Sequence, residues 1–292
     1  MTFPEWILVN GGGVQAAGFF ALLLVFAAAE RLVPRRPVPR DHGLRWRTNL
    51  SLTANNVAVL SLMPLSFITA AAWAQEHGWG LLNTVRLPLV LLILANLLLR
   101  GFISFFMHYL MHRVPIFWRL HRVHHLDTDL DVTSTVRFHP LEFVANTIPA
   151  VPLVVAFGLT PWVLMVYELL DVGITLFSHS NLRLPGRLDA VLRRVVVTPD
   201  LHRVHHSTWQ PETDSNFGAV FPIWDMVFGT YRIGSRDAPE SMPLGLDDRR
   251  GREANQLTWL LGSVLRQNIG DNASGRILSR DKKSLSVHHT RD

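Results

Sequence analysis

The chain has 292 residues, 48% of them hydrophobic and only 17% charged, with a formal net charge of +5. Soluble domains carry about 25% charged residues, so this composition excludes an ordinary soluble enzyme and excludes disorder. Cysteine is absent, which removes disulfides, a cysteine nucleophile, iron–sulfur clusters and thiolate zinc sites. With fourteen histidines present, any metal must be held by nitrogen and oxygen. The sequence pI of about 10.3 would suggest nucleic acid in a soluble protein. Here the arginines cluster beside apolar runs, where membrane topology explains them, and no nucleic-acid partner is expected.

A membrane-crossing helix needs about 20 mostly apolar residues. The first such run is about Trp6–Ala29. It lacks a basic start and is too long for the core of a signal peptide, so it is read as retained. The second is about Leu50–Ala74, whose Asn55 and Asn56 need a partner helix or an interfacial position. The third is about Leu87–Phe106 and contains Asn96 and Arg100. An arginine there must lie near the helix end or face protein. The region Phe143–Phe177 is divided by Gly158, Thr160 and Pro161 into a helical hairpin, Phe143–Phe157 and Pro161–Phe177.

Arginines orient the set. The loop after the first run carries Arg31, Arg35, Arg36, Arg40, Arg45 and Arg47, and the region after the third carries Arg113, Arg119 and Arg122. Positive residues stay on the cytoplasmic side, which puts the amino terminus outside and His108–Arg137 inside. Arg183, Arg187, Arg193 and Arg194 agree with this. The fold class expected is an all-α integral membrane protein, with about four transmembrane helices in two hairpins and a cytoplasmic, histidine-rich helical cap. After Gly234 the chain turns polar. One stretch, Asn255–Gln267, has apolar residues at helical spacing and reads as a short amphipathic helix on the domain or the membrane surface. Roughly the last twenty residues read as disordered.

Three histidine clusters stand at the ends of these runs: His108/His112, His121/His124/His125 and His202/His205/His206. Residues i and i+3 or i+4 share a helix face, so each cluster can aim its rings together. The second and third repeat one pattern, His-Arg-Val-His-His. His139 and His179 are two further candidate ligands, whereas His42, His77, His288 and His289 read as ordinary surface or hydrogen-bonded residues. Eight clustered imidazoles exceed the three protein ligands of a catalytic zinc. They suit two ions, and imidazole alone does not choose among iron, zinc, copper and nickel.

At these residues the sequence resembles the fatty acid hydroxylase/sterol desaturase superfamily of membrane-bound di-iron enzymes. That family carries a His-x3-4-His box followed by two His-x2-3-His-His boxes, matched in order by the three clusters here. Supporting words are Arg137-Phe-His-Pro-Leu-Glu142, Ser178-His-Ser-Asn181, Thr198-Pro-Asp, Asn216-Phe-Gly218 and Trp224-Asp-Met-Val-Phe-Gly-Thr230. The resemblance covers about Asn96–Tyr231. It implies three regions: amino-terminal helices with a basic loop (1–95), a di-iron catalytic domain (96–233) and a carboxy-terminal tail (234–292). It also implies two iron ions, O2 as co-substrate and a lipid substrate from the bilayer that is hydroxylated or desaturated, whether sterol-like, fatty acyl or isoprenoid. Metal ligands hand their second ring nitrogen to a carboxylate or carbonyl. Glu142, Asp171, Asp200 and Asp225 are the candidates for that role, with Asn181 and Asn216 beside them.

O2 activation needs external electrons. The chain has no cysteine for an iron–sulfur cluster, no glycine-flanked haem motif at His139-Pro-Leu-Glu, and no dinucleotide fingerprint. A separate donor is therefore expected: a ferredoxin, a cytochrome b5-like protein or a flavin reductase. The expected location is multi-pass in a bacterial inner membrane, with the site on the cytoplasmic side. Trp118, Phe138, Phe177, Trp209, Phe217 and Phe221 are candidate pocket walls. Two other readings use the same histidines. A zinc hydrolase predicts His-Glu-x-x-His, which is missing. A metal transporter or sensor predicts ionisable residues inside several spans, whereas these histidines lie at the membrane edge.

Overall fold

The computed structural model describes residues 1–39, 41–247 and 251–265. Its elements are helical: α1 (Phe3–Leu32), α2 (His42–Leu62), α3 (Phe67–Glu76), α4 (Leu81–Thr84), α5 (Leu89–Arg113), α6 (Pro115–His125), α7 (Pro140–Phe157), α8 (Pro161–His179), α9 (Gly186–Leu192), α10 (Pro199–His205), α11 (Gln210–Thr213), α12 (Ile223–Phe228) and α13 (Leu257–Ser263), with 3-10 turns at Val132–Val136 and Arg252–Asn255. No strand forms among the described residues; two isolated bridges, Pro34 with Leu182 and Ser207 with Leu244, are the only β pairing.

Five stretches are long and apolar enough to cross a membrane: Phe3–Leu32, His42–Thr84, Leu89–Arg113, Pro140–Phe157 and Pro161–His179. This exceeds the four expected, because both arms of the hairpin qualify. Gly158 separates those arms in a left-handed conformation (φ 64°) that caps α7. A side chain there would meet the backbone of Trp79 and Gly80 at 3.0 Å, so a residue with no Cβ suits both the turn and the contact.

The second predicted span is not one helix. The chain breaks between Leu62 and Phe67, where Met63 is extended before Pro64 and Ser66 caps α3 reciprocally with Thr69. Proline disfavours helix at the residue before it. The helix also starts earlier than hydropathy suggested, at His42, because one face of its first turns, Arg45, Thr48 and Asn49, is polar and buried. Arg45 is fully buried. Its Nε donates to Asp127 Oδ1 at 2.7 Å and its Nη1 to Asp131 Oδ2 at 2.9 Å. The basic first loop is therefore partly internal: Arg36 donates to the Pro239 and Met242 carbonyls, and Arg35 pairs with Asp200 at 2.9 Å.

Arg100 faces protein, as an arginine in a span must. Its Nε donates to Glu168 Oε1 of α8 at 2.9 Å, and its guanidinium lies 4.9 Å from both the Phe67 and Tyr167 ring centres. The most extensive helix contact is between α1 and α8, where Gly11 leaves room for Met165. A core of Ile103, Met107, Met111, Ala150, Val154 and Leu164 joins α5, α7 and α8 below the histidines. A second core, with Leu52, Val123 and Leu260, seats α13 on α2 and α6. The expected amphipathic helix is thus shorter, Leu257–Ser263, and packs on the domain. Its predicted end, the disordered tail, and His288 and His289 lie outside the described residues.

The Asp127 carboxyl shows what the buried pair does. Burial alone would raise its pKa, yet the guanidiniums of Arg45 and Arg137 hold it down at about 2. Removing one partner strands a buried charge, which costs about 3–5 kcal/mol. Arg45→Met is expected to lower unfolding stability by that much in detergent, measured by chemical denaturation. A loss under about 1 kcal/mol, the worth of an exposed pair, would contradict the role given to Arg45.

Candidate metal centre

Nine buried or half-buried histidines converge in two groups. His108, His112, His121, His125 and His205 form one; His124, His179, His202 and His206 form the other. Within each group the candidate ligand atoms lie within 4.8 Å of one another, close to the roughly 4.2 Å between opposite nitrogens on one ion at about 2.1 Å. Helix register decides the partition. Successive residues on a helix differ by about 100°, so adjacent histidines must face different ways. In α6, His121 and His125 serve the first group and His124 the second. At α10 the sorting inverts: His202 and His206 serve the second group and His205 the first. The groups touch, with the His125 and His206 rings stacked at 4.5 Å and 20°.

The outer nitrogens fix the tautomers. His108 Nδ1 lies 2.8 Å from the Phe217 carbonyl, His205 Nδ1 2.7 Å from the Ser215 carbonyl, and His179 Nδ1 2.8 Å from the Thr175 carbonyl. A carbonyl only accepts, so each Nδ1 carries the proton and each Nε2 presents a bare lone pair. His121 Nδ1 lies 2.7 Å from Glu142 Oε1, which sets it the same way. Yet His108 Nε2 and His121 Nε2 approach to 3.0 Å. Two lone pairs at that distance form no hydrogen bond. The buried Nε2 atoms of His112, His125 and His205 also have no hydrogen-bond partner. Bare nitrogens facing one another in a dry interior fit a cation, and the all-nitrogen donor set fits a transition metal.

The rings are held neutral. Burial pushes the His121 imidazole down to about 3. Burial first, and neighbouring imidazoles second, hold His124, His125, His202, His205 and His206 well below the ordinary value. Neutral imidazole is the form that ligates.

A Fatty acid hydroxylase family profile matches residues 93–230, the segment that carries all nine rings. This segment, just under half of the chain, is thus a fatty acid hydroxylase domain. Among curated relatives, it is 26% identical to ornithine lipid hydroxylase OlsE of Rhizobium tropici over 78% of this chain and 69% of that one. It is 28% identical to a cholesterol 25-hydroxylase-like protein of Danio rerio, over 72% of this chain and 83% of the relative. With human alkylglycerol monooxygenase it shares 30% identity over 44% of this chain, and it spans only 27% of that protein. No solved structure matches.

Against the superfamily signature, the structure brings together the three boxes and His179. His139 joins neither group. It caps α7, with Nδ1 accepting from the Leu141 amide and Nε2 3.2 Å from the Leu261 carbonyl. Of the outer candidates only Glu142 touches a ring directly. Asp200 pairs with Arg35. Asp171 lies in the field of Glu168 and Arg100. Asn181 ties Glu30 and Arg36 to the end of α8. Asn216 and Asp225 act through the backbone. Asn216 adopts a left-handed conformation (φ 54°) and bonds Arg232 through both ends of its amide. That places the carbonyls on either side of it against His205 and His108. Asp225 accepts from the Phe217 and Gly218 amides at 2.7 and 2.8 Å, and a Cβ on Gly218 would strike Phe221 O at 2.5 Å.

The sequence reading missed Asp214, 3.5 Å from His112 Nδ1. Its position two residues before Asn216-Phe-Gly218 was the available signal. Of the candidate walls, Phe138 stacks on His124 at 4.6 Å and Phe217 meets His108, His112 and His205. Trp118 packs on His112 and His125. Phe177 packs on Phe26, Phe221 on Tyr167, and Trp209 under Arg232 and Arg236 instead.

Two outcomes follow from this geometry. Glu142→Ala is expected to weaken metal binding about 10–100-fold, with Glu142→Gln, which still accepts from His121, recovering most of it; competition with a chelator reads both. The second concerns acid. Because the folded histidines titrate below the unfolded ones, the unfolded chain takes protons first as pH falls. The stability tied to neutral rings is full above about pH 6.5 and is lost progressively from there towards pH 3. Metal-loaded protein is expected to release its ions over the same descent, since protons compete for the same lone pairs. Denaturation midpoints and metal content between pH 8 and 4 check both.

Proposed function

We propose that this chain is a membrane-bound non-haem di-iron oxygenase that uses O2 and external electrons to hydroxylate a lipid. One observation carries it: two adjacent groups of neutral histidines, five and four, whose candidate ligand nitrogens lie within 4.8 Å of one another in each group. The relatives support oxygenation of a lipid, since their names describe lipid hydroxylation and a monooxygenase. They also favour hydroxylation over desaturation and over the hydrolase and transporter readings. Their named substrates differ, so the class proposed is a bilayer lipid.

The nine histidines would hold one iron in each group, and the pair would supply O2 activation for attack on an unactivated C–H bond. The protein does the rest. Glu142 and the carbonyls of Thr175, Ser215 and Phe217 hold the ligand rings in one tautomer and one orientation. Phe138, Phe217 and Trp118 surround the rings and exclude water. The histidine edge of the bundle adjoins the five apolar stretches, so a lipid chain reaches it laterally. A separate ferredoxin, cytochrome b5-like protein or flavin reductase supplies electrons at the cytoplasmic face. The arginine distribution and the Rhizobium relative support a bacterial inner membrane with that face inward.

Protein purified from iron-supplied cells is expected to hold two irons per chain. His205→Ala and His124→Ala probe one group each, and each is expected to lower metal content and abolish turnover while the protein stays in the membrane. His77→Ala, exposed and remote in sequence, should change neither. Lipid extracts from cells with and without the gene should differ by lipids that have gained one oxygen. Stable zinc with hydrolytic turnover, or full activity in either cluster variant, would overturn the proposal.

A further inference from the structure

Outside the five spans, α9, α12 and the segments that follow them leave large apolar side chains in the open: Leu188, Val191, Val195, Val227, Phe228 and Ile233 are each 46–65% exposed. Soluble surfaces rarely leave so many together without a partner. The segments flanking the two helices are tied into one platform. The Tyr231 hydroxyl donates to the Arg193 carbonyl at 3.1 Å, Val197 N donates to the Val220 carbonyl at 3.0 Å, and the Arg193 guanidinium reaches the Ile233 carbonyl.

Its depth is fixed by α5. Trp224 Nε1 donates to the Leu98 carbonyl at 3.0 Å, and the Phe228 ring stacks on Phe105 at 5.4 Å and 15°. Leu98 lies about 22 Å along the helix from Arg113, at 1.5 Å per residue. It belongs to a face on which Leu91, Leu94 and Leu98 are themselves exposed, as lipid-facing residues of a span are. The apolar platform therefore continues the lipid-facing surface of α5. Backbone at that depth must satisfy its polar groups internally. It does so here: Asp225 takes the Phe217 and Gly218 amides, and its own carbonyl takes those of Thr230 and Tyr231. Exposed Arg183, Arg187, Arg194 and Arg236 rim the platform, the arrangement that lets an interfacial segment sit among acyl chains with its cations at the headgroups.

We propose that α9 and α12 form a lipid-embedded platform, bedded in the leaflet beside the histidine groups, with the bilayer's own lipids as its occupant. The platform borders the candidate site, since Phe105 meets Phe228 on one side and Phe217, whose carbonyl holds His108, on the other. The inference rests on the membrane reading of the spans and needs neither iron nor turnover.

The chain has no cysteine, so single nitroxide labels can be placed without background. Val191→Cys, Val195→Cys and Val227→Cys are labelled in the full chain, reconstituted into phosphatidylcholine–phosphatidylglycerol vesicles, with Glu240→Cys as the aqueous control. Collision with O2, which partitions into lipid, is compared with collision with a water-soluble nickel chelate. The expected ratio of oxygen to chelate collisions is several-fold higher at 191, 195 and 227 than at 240. Equal ratios would show a wetted surface and overturn the proposal. Labels shielded from both reagents would overturn it too, showing that a second copy or another protein covers the platform. Helicity by circular dichroism confirms that each labelled chain is folded, and the three independent positions guard against loss of one variant.

Discussion

Nine imidazole nitrogens aimed at one another in a dry interior are the constraint around which this molecule is built. Each buried lone pair left without a partner costs roughly 1–3 kcal/mol, and crowding them raises the cost, because bare nitrogens offer one another no proton. Neutrality makes the crowding tolerable: burial keeps the rings unprotonated, so no positive charges repel. The same neutrality leaves a concentrated set of donors that only a cation can satisfy together. Fold and candidate chemistry meet in this one electrostatic requirement.

The surrounding polar network serves the same end. Asp127, two residues beyond His125, is locked by Arg45 of α2, and Arg137 donates to the Val123 carbonyl inside α6. The basic stretch that follows α1 is thus also a brace, through Arg45, for the helix bearing His121, His124 and His125. The buried Arg100–Glu168 pair does comparable work, holding together α5 and α8, the helices that carry His108, His112 and His179.

Much of this was legible in the sequence. The histidine boxes follow from i, i+3 and i+4 spacing, and His179 stood out in Ser178-His-Ser-Asn181. Partition was not legible, because it depends on how α6 and α10 rotate against each other, and only tertiary packing sets that rotation. The break at Pro64 was written in the chain but masked by continuous hydropathy. His139 looked like a ligand by residue type and turned out to cap a helix, a role that histidine shares with any short acceptor. Asp214 and the carbonyls of Thr175, Ser215 and Phe217 were hidden for another reason: a backbone acceptor leaves no mark in composition, and an aspartate in a polar loop looks like solvent-facing decoration.

The backbone acceptors at Ser215 and Phe217 have a wider consequence. A peptide oxygen cannot ionise and cannot be removed by exchanging a side chain. Rings anchored on it keep their orientation across acidity changes that would release a carboxylate, and through neighbouring sequence drift that spares the turn. Among the described residues, His121 leans on an ionisable group, Glu142, and His112 Nδ1 lies 3.5 Å from another, Asp214. Robustness at the site is therefore uneven, with main chain guarding some donors and replaceable acids guarding others.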